Sequence, residues 1–250
     1  MNKLENKVAV VTGGNSGIGY AAAEELVAQG ATVVITGRNP EATEKAAKAL
    51  NVKGLVSDQS SLPAIDRLVA EVKALFTKVD ILFINAGVSS FAPIGQITET
   101  EFDNMLNVNF KGSLFTLQKF LPILNEGASV IFLSSINAYA AMPNATVYAA
   151  SKAALNSLMK TAAFELAQKK IRVNAVAPGP ILTPIFEKLG FTAEAFQQFQ
   201  SDLSERIPLK RFGTATEVAK LVAFLSSDDA AFITGSEYLI DGGITLNSLQ

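Results

Sequence analysis

Tyr148 and Lys152 stand four residues apart in a chain that contains neither histidine nor cysteine. Without those two residue types, Ser-His and Cys-His nucleophiles and zinc sites built on Cys or His are excluded, and acid/base chemistry must run on Asp, Glu, Lys or Tyr. On a helix, the Tyr-x-x-x-Lys spacing puts both side chains on one face, one turn apart. A phenol is a poor base at neutral pH, with a pKa of about 10, and a nearby cation can lower that by roughly 1–3 units. Lys152 supplies the cation, so Tyr148 is the candidate acid/base for giving a proton to a carbonyl oxygen and taking it back. The competing reading is an amphipathic surface pair. Against it stands Ser135, at the end of an apolar run of the buried-strand type.

A second constellation is Thr12-Gly13-Gly14-Asn15-Ser16-Gly17-Ile18-Gly19, between the apolar run Val8–Val11 and a helix-forming segment. Glycines at 13, 17 and 19 permit a tight turn, close approach of backbone to phosphate, and close packing of helix on strand. The helix start then offers free N–H groups and partial positive charge to a pyrophosphate. Alone, such a loop can be no more than a turn; after a first strand and before a helix it reads as a dinucleotide site. About twenty residues on, where a carboxylate would accept from a ribose 2′-hydroxyl, stands Thr36-Gly37-Arg38-Asn39. A guanidinium in place of the acid favours NADP (NADPH), with NAD possible, unless Arg38 is an ordinary turn arginine. On this reading, Gly37→Asp should shift preference toward NAD.

The segments TGGNSGIG (12–19), INAG (84–87), NVNFKG (107–112), SSINAY (134–139), YAASK (148–152), APGPILT (177–183) and IDGG (240–243) follow one another along the whole chain. In order and spacing they resemble the roughly 250-residue branch of the short-chain dehydrogenase/reductase family. The resemblance implies four catalytic residues. Ser135 binds the substrate carbonyl, Tyr148 and Lys152 act as above and also touch the cofactor, and Asn109 holds a water that relays protons to Lys152. Asn107 is read as an ordinary helix-interior polar residue. The resemblance further implies cofactor contacts from Asn15, Ser16 and Ile18 in the glycine loop, Asp58 at the adenine, and Asn85, Ala86 and Gly87 along the adenosine. Pro178, Gly179, Ile181 and Thr183 would bracket the nicotinamide. It also implies a homotetramer.

These residues need a scaffold. Near-continuous apolar runs at Lys7–Thr12, Thr32–Gly37, Gly54–Ser57, Ile81–Asn85, Ser129–Ser134, Arg172–Ala177 and Glu237–Ile240 predict the strands of a parallel sheet covered on both faces. Helical patterns fill the intervals near 17–29, 41–50, 62–76, 99–125, 147–169 and 214–227. The alternation predicts one doubly wound, Rossmann-type α/β domain of seven mostly parallel strands, with 1–130 mainly for cofactor and 131–250 mainly for catalysis and substrate. The stretch of about 180–213, rich in proline and phenylalanine, reads as a substrate lid.

With 49% apolar and 18% charged residues, 250 residues bury a core easily. A net charge of −2 offers nucleic acid no field. No signal-peptide pattern and no membrane-length apolar run point to a cytoplasmic protein. Asn137, Ala141, Met142, Pro180, Ile185, Phe186 and Leu189 are the candidate pocket residues. They are mostly apolar, which points to a hydrophobic ketone or keto ester. A 3-oxoacyl-[acyl-carrier-protein] reductase is the specialist alternative, disfavoured because Leu124-Asn125-Glu126-Gly127-Ala128 carries no basic residue for an acidic carrier. A non-catalytic dinucleotide sensor and an interaction module are alternatives of another class.

Overall fold

A computed structural model describes residues 3–183 and 192–246. Seven strands form one parallel sheet: β1 (Val8–Val11), β2 (Thr32–Gly37), β3 (Lys53–Val56), β4 (Val79–Ile84), β5 (Leu124–Leu133), β6 (Arg172–Pro178) and β9 (Glu237–Ile240). Their order across the sheet is β3-β2-β1-β4-β5-β6-β9, so the direction of winding reverses between β1 and β4. Ligands of such sheets bind beyond the strand carboxyl ends at that reversal. The glycine loop leaves β1 there, and Asn85-Ala86-Gly87 leaves β4 beside it.

Alternate residues of these apolar strands feed two separate cores, which is why no polar face is visible in the sequence. Val11, Ile35, Phe83, Ile131 and Val176 pack beneath α1 (Gly17–Ala28), α2 (Pro40–Leu50) and α8 (Ala215–Ser226). Val10, Val34, Leu82, Phe132 and Ala175 pack beneath α3 (Leu62–Leu75), α5 (Ser113–Phe120) and α6 (Thr146–Leu166). Helix starts follow local capping chemistry. Asn39 and Ser61 accept from the amides of Ala42 and Ala64, each followed by a proline in the first helical turn. Thr214 and Glu217 close a capping box on α8.

Four expectations need correction. The helix expected over 99–125 is α4 (Glu99–Leu106), a wider π turn over Asn107–Gly112, α5, and a short 3-10 turn over Leu121–Ile123. Pro122 ends the helical run, and β5 begins at Leu124 rather than Ser129, with Gly127 at φ +80° where the register against β4 shifts. The interval without strand pattern after β6 contains the two-residue strands β7 (Ile181–Leu182) and β8 (Gly213–Thr214), paired in parallel, and α7 (Ala193–Arg206). Two-residue strands are too short to show a period. β4 begins at Val79 and ends at Ile84, displaced from the expected 81–85.

Gly112 explains how the π turn fits. A Cβ there would lie 2.1 Å from the Gln59 carbonyl oxygen, so only glycine lets this helix pass so close to the loop after β3. Gln59 then reaches Thr116 on α5 with a buried 2.9 Å hydrogen bond.

Candidate active site

Ser135 follows the end of β5 in extended backbone, where its Oγ accepts from the Asn137 amide at 3.2 Å. It is buried, and it lies close enough to the Tyr148 hydroxyl to oppose the rise in that phenol's pKa. One turn along α6, Lys152 is buried with Nζ 5.7 Å from the Tyr148 ring centre, and it donates to the Leu133 carbonyl at 2.7 Å. Burial without a carboxylate partner pulls the Lys152 pKa down to about 8.

Tyr148 corrects a sequence expectation. Burial raises its pKa above the ordinary value, and the Ser135 hydrogen bond only partly offsets this. Desolvation of the phenolate therefore outweighs Lys152 in the protein by itself. A phenol so held is protonated at neutral pH, the state a proton donor needs.

Asn109 sits inside the π turn, and its side chain is fully engaged. Oδ1 accepts from the Val88 amide at 2.8 Å, while Nδ2 donates to the Val88 carbonyl at 2.9 Å and to Ser151 Oγ at 3.0 Å. Ser151 in turn donates to the Tyr148 carbonyl at 2.7 Å. Asn109 thus clamps the chain leaving β4 to the helix that carries Tyr148 and Lys152. A Cβ on Gly87 would lie 3.2 Å from Asn109 Oδ1 and 3.7 Å from Lys152 Nζ, so all three share one small space. Asn107 starts the π turn and belongs to no part of this clamp.

The glycine loop is built from close approaches. A Cβ on Gly19 would meet the Gly13 carbonyl at 2.3 Å and Asn85 Nδ2 at 2.4 Å; Gly13 and Gly17 adopt φ of +65° and +56°. Asn85 Nδ2 donates to the carbonyls of Thr12 and Gly13, and Thr12 Oγ1 accepts from the amides of Asn85 and Ala86. The two strand ends are thereby tied across the reversal point. Ser16 caps α1 in extended backbone without using its hydroxyl on the helix, and Ile18 lies in the first turn, so the N–H groups of this turn face the cleft. Across it, Thr183 lies 3.7 Å from where a Gly17 Cβ would be. Gly179 donates to the Ile240 carbonyl, and the Pro180 carbonyl accepts from Gly213.

This cradle fits a nicotinamide dinucleotide: the loop would hold the pyrophosphate, with Thr183 facing it across the cleft. Arg38, at the end of β2, is exposed and engages no side chain or carbonyl among the described residues, leaving its guanidinium available to a phosphate. Asn15 packs against Gly37, where a Cβ would lie 2.7 Å from Asn15 Cγ and 2.4 Å from Thr43 Oγ1. Asp58 accepts from the Ser60 amide and hydroxyl through Oδ1, which fixes its carboxylate in the turn after β3.

Comparison with known proteins agrees with this geometry. A family model described as enoyl-(acyl carrier protein) reductase matches residues 13–245. The chain belongs to the short-chain dehydrogenase/reductase family. It is 38% identical over 249 residues to oxidoreductase asL5 of Sarocladium schorii, covering 98% of both chains. It is also 38% identical over 251 residues to the 3-oxoacyl-[acyl-carrier-protein] reductase FabG of Thermotoga maritima, covering 98% of this chain and all of that one. A solved Pseudomonas aeruginosa RhlG/NADP active-site complex superposes with a TM-score of 0.91 at 31% identity, covering 97% and 98% of the two chains. A mutant Serratia marcescens short-chain dehydrogenase/reductase gives 0.90 at 32% identity, covering 97% and 99%. The protein is an oxidoreductase of this family, which uses a nicotinamide cofactor on small-molecule substrates. Among the described residues, no helix is long and apolar enough to cross a membrane.

Among the residues expected to meet substrate, Asn137 Nδ2 reaches Met142 Sδ at 3.8 Å, and Met142 and Ala141 are exposed. Pro180 is half-buried. Phe186, Ile185 and Leu189 lie outside the described residues. Sequence reasoning missed Phe91, whose ring meets Tyr148 edge-on at 6.0 Å, in a loop fastened by the Ala92 amide to the Asn144 carbonyl. It also missed Val88 and Ser151, the partners of Asn109. Ser151 lay inside the quoted YAASK segment, and a buried-type helix position filled by serine was the available signal.

Proposed function

We propose that this enzyme reduces a hydrophobic ketone or keto ester with NADPH, using Tyr148 as the proton donor. The observation that carries the reading is the grouping of Ser135, buried at the end of β5, with Tyr148 and the Lys152 cation one turn apart on α6, Lys152 Nζ lying 5.7 Å from the Tyr148 ring centre. When bound, the cofactor supplies the hydride. Ser135 and Tyr148 converge on the carbonyl oxygen, where their donors stabilise the charge that develops as the carbonyl is reduced. Tyr148 then transfers its proton to that oxygen, and Lys152 lowers the cost of the phenolate left behind. Asn109 holds the chain around Val88 and the backbone of α6 in place, and its position next to Lys152 suits the relay of a replacement proton.

Arg38 supports the preference for NADPH, since its free guanidinium suits a 2′-phosphate and no acid stands in its place. Phe91, Met142 and Pro180 support an apolar substrate. A cytoplasmic homotetramer is the assembly we infer from the family. The Thermotoga maritima relative favours a second reading, reduction of a carrier-bound 3-oxoacyl group. The segment 124–128 that argued against it lies at the opposite end of β5 from Ser135, and Glu126 there pairs with Lys170, so that surface is charge-neutral rather than basic.

The deciding assay follows oxidation of NADPH and of NADH with aryl ketones, keto esters and an acetoacetyl thioester. Turnover of ketones with NADPH and little with NADH bears out the reading. Turnover of the thioester alone moves the substrate to the second reading, and no turnover alongside measurable cofactor binding overturns both.

A further inference from the structure

A polar chain runs behind the catalytic serine into the sheet. Ser134 donates its hydroxyl to Asn156 Oδ1 at 2.6 Å, and Asn156 donates through Nδ2 to Glu237 Oε1 at 2.8 Å. Ser134 and Asn156 are buried, and Glu237 is half-buried on β9, the outermost strand. Asn156 lies one turn beyond Lys152 on the face of α6 that also carries Tyr148. The chain joins three elements: the end of β5 next to Ser135, the catalytic helix, and the sheet edge. The reduction chemistry uses none of these three residues.

We propose that Glu237 is a positioning residue, which through Asn156 and Ser134 sets the alignment of Ser135 against Tyr148 and does so differently as carboxylate and as carboxylic acid. The proposal rests on the reading of Ser135 and Tyr148 given above. A hydrogen-bond chain of this kind has two directions. With Glu237 ionised, the protons point outward: Ser134 hydroxyl to Asn156 Oδ1, Asn156 Nδ2 to the carboxylate. When Glu237 takes a proton from solvent, its carboxyl loses the charge that draws the Asn156 amide and gains a donor, so the chain can also run the other way, with Asn156 Oδ1 accepting from the acid and Nδ2 donating to Ser134. In that second direction the Ser134 hydroxyl proton leaves this chain for another acceptor at the end of β5, beside Ser135. The charge on the carboxyl therefore sets how firmly the chain holds the end of β5, since hydrogen bonds to a charged group are the stronger ones.

Among the described residues, Glu237 makes no ion pair. From α6, Lys152 and Lys160 lie one turn to either side of Asn156; the first is held by the Leu133 carbonyl and the second is exposed. On β6, Asn174 is taken up by the Ile233 carbonyl and the Ser236 amide, and Arg172 by the carbonyls of Leu225, Ser227 and Ile233. Tyr238 follows on β9. Desolvation therefore dominates and lifts the Glu237 pKa to about 7, with Ser134 opposing it. Both protonation states of Glu237 are therefore within reach near neutrality.

The test is the pH dependence of kcat for ketone reduction at saturating NADPH, in the native enzyme, Glu237→Gln and Ser134→Ala. The native kcat should rise roughly three- to tenfold as pH passes through neutrality, a coupling of the size one hydrogen-bonded side chain transmits. Both variants should lose that limb while NADPH affinity by fluorescence titration stays as in the native enzyme. Ser134→Ala carries the test if Glu237→Gln does not fold. A native profile without the limb, or a limb that persists in the variants, overturns the proposal. Tyr148→Phe in parallel separates the two readings: full activity there overturns the assigned acid itself, whatever the neutral limb does.

Discussion

Lys152 donates to the carbonyl of Leu133, 2.7 Å away and two residues before Ser135. One ammonium thus joins the catalytic helix to the end of the strand that presents the serine, and the same burial that makes this bond lowers its pKa to about 8. A buried lysine of this kind is easily discharged.

As pH rises through about 8, the ammonium loses its proton and Tyr148 loses the cation beside it. We expect kcat/KM for NADPH to fall on that alkaline side, because this parameter reports groups of the free enzyme. A pH–rate profile that stays flat to about 10, the ordinary lysine range, would show that Lys152 keeps its charge despite burial.

Tyr148→Phe removes the hydroxyl and keeps the ring that meets Phe91 edge-on. Turnover should drop by roughly 10²- to 10⁴-fold, the usual contribution of a positioned acid, with NADPH binding retained. Single-turnover kinetics and a binding titration on one sample check both halves.

Arg38→Ala should raise KM for NADPH by about 10- to 100-fold and leave NADH almost untouched, matching the loss of one charge-assisted contact to phosphate. Gly37→Asp, attractive from sequence, is a poor test. Its Cβ would strike Thr43 Oγ1 at 2.4 Å and Asn15 at 2.7 Å, so lost activity would report a broken loop rather than a changed preference.

Gly19→Ala sets one methyl against the Gly13 carbonyl at 2.3 Å. Overpacking of this kind costs about 1–3 kcal/mol. A lower denaturant midpoint together with weaker NADPH binding is the expected result, and unchanged binding would remove the loop from the cofactor site.

Glu237 also affects stability. Its folded pKa, about 7, lies above the ordinary 4.5, so the folded state holds this proton more tightly than the unfolded chain. Its contribution is fully present below about 4.5 and is lost as pH rises through 7. Relative to the native enzyme, Glu237→Gln should therefore gain thermal stability above pH 7 and give up that gain toward pH 4.5. Melting curves at the two ends of the window decide it.

The sheet was legible because buried parallel strands are continuous apolar runs, and α1, α2, α3, α6 and α8 were legible from their period and caps. The pairing of Tyr148 with Lys152 could be argued from their helical spacing, whereas Ser135 joined them through the ordered set of segments that resembles the family. What stayed hidden was set by tertiary contact. The π turn depends on Gly112 meeting the Gln59 backbone, and β7 and β8 are defined only by each other. The Ser134–Asn156–Glu237 chain joins residues 22 and 81 positions apart, a distance no local pattern spans. The direction of the Tyr148 shift was missed because burial, unlike charge, cannot be read from spacing.

The wide turn at Asn107–Gly112 makes the site depend on residue count as well as residue type. A π turn accommodates one more residue than the α-helix around it, so it acts as a phase shifter between α4 and α5. Deleting one residue there would relax the segment to a regular helix and rotate everything after it by about 100°. Thr116 would swing off Gln59, and Asn109 could no longer face Val88 and Ser151 while α5 kept its apolar stripe on the sheet. Homologous chains that align without a gap across this segment should share the clamp, and a chain one residue shorter must hold its catalytic helix by other means.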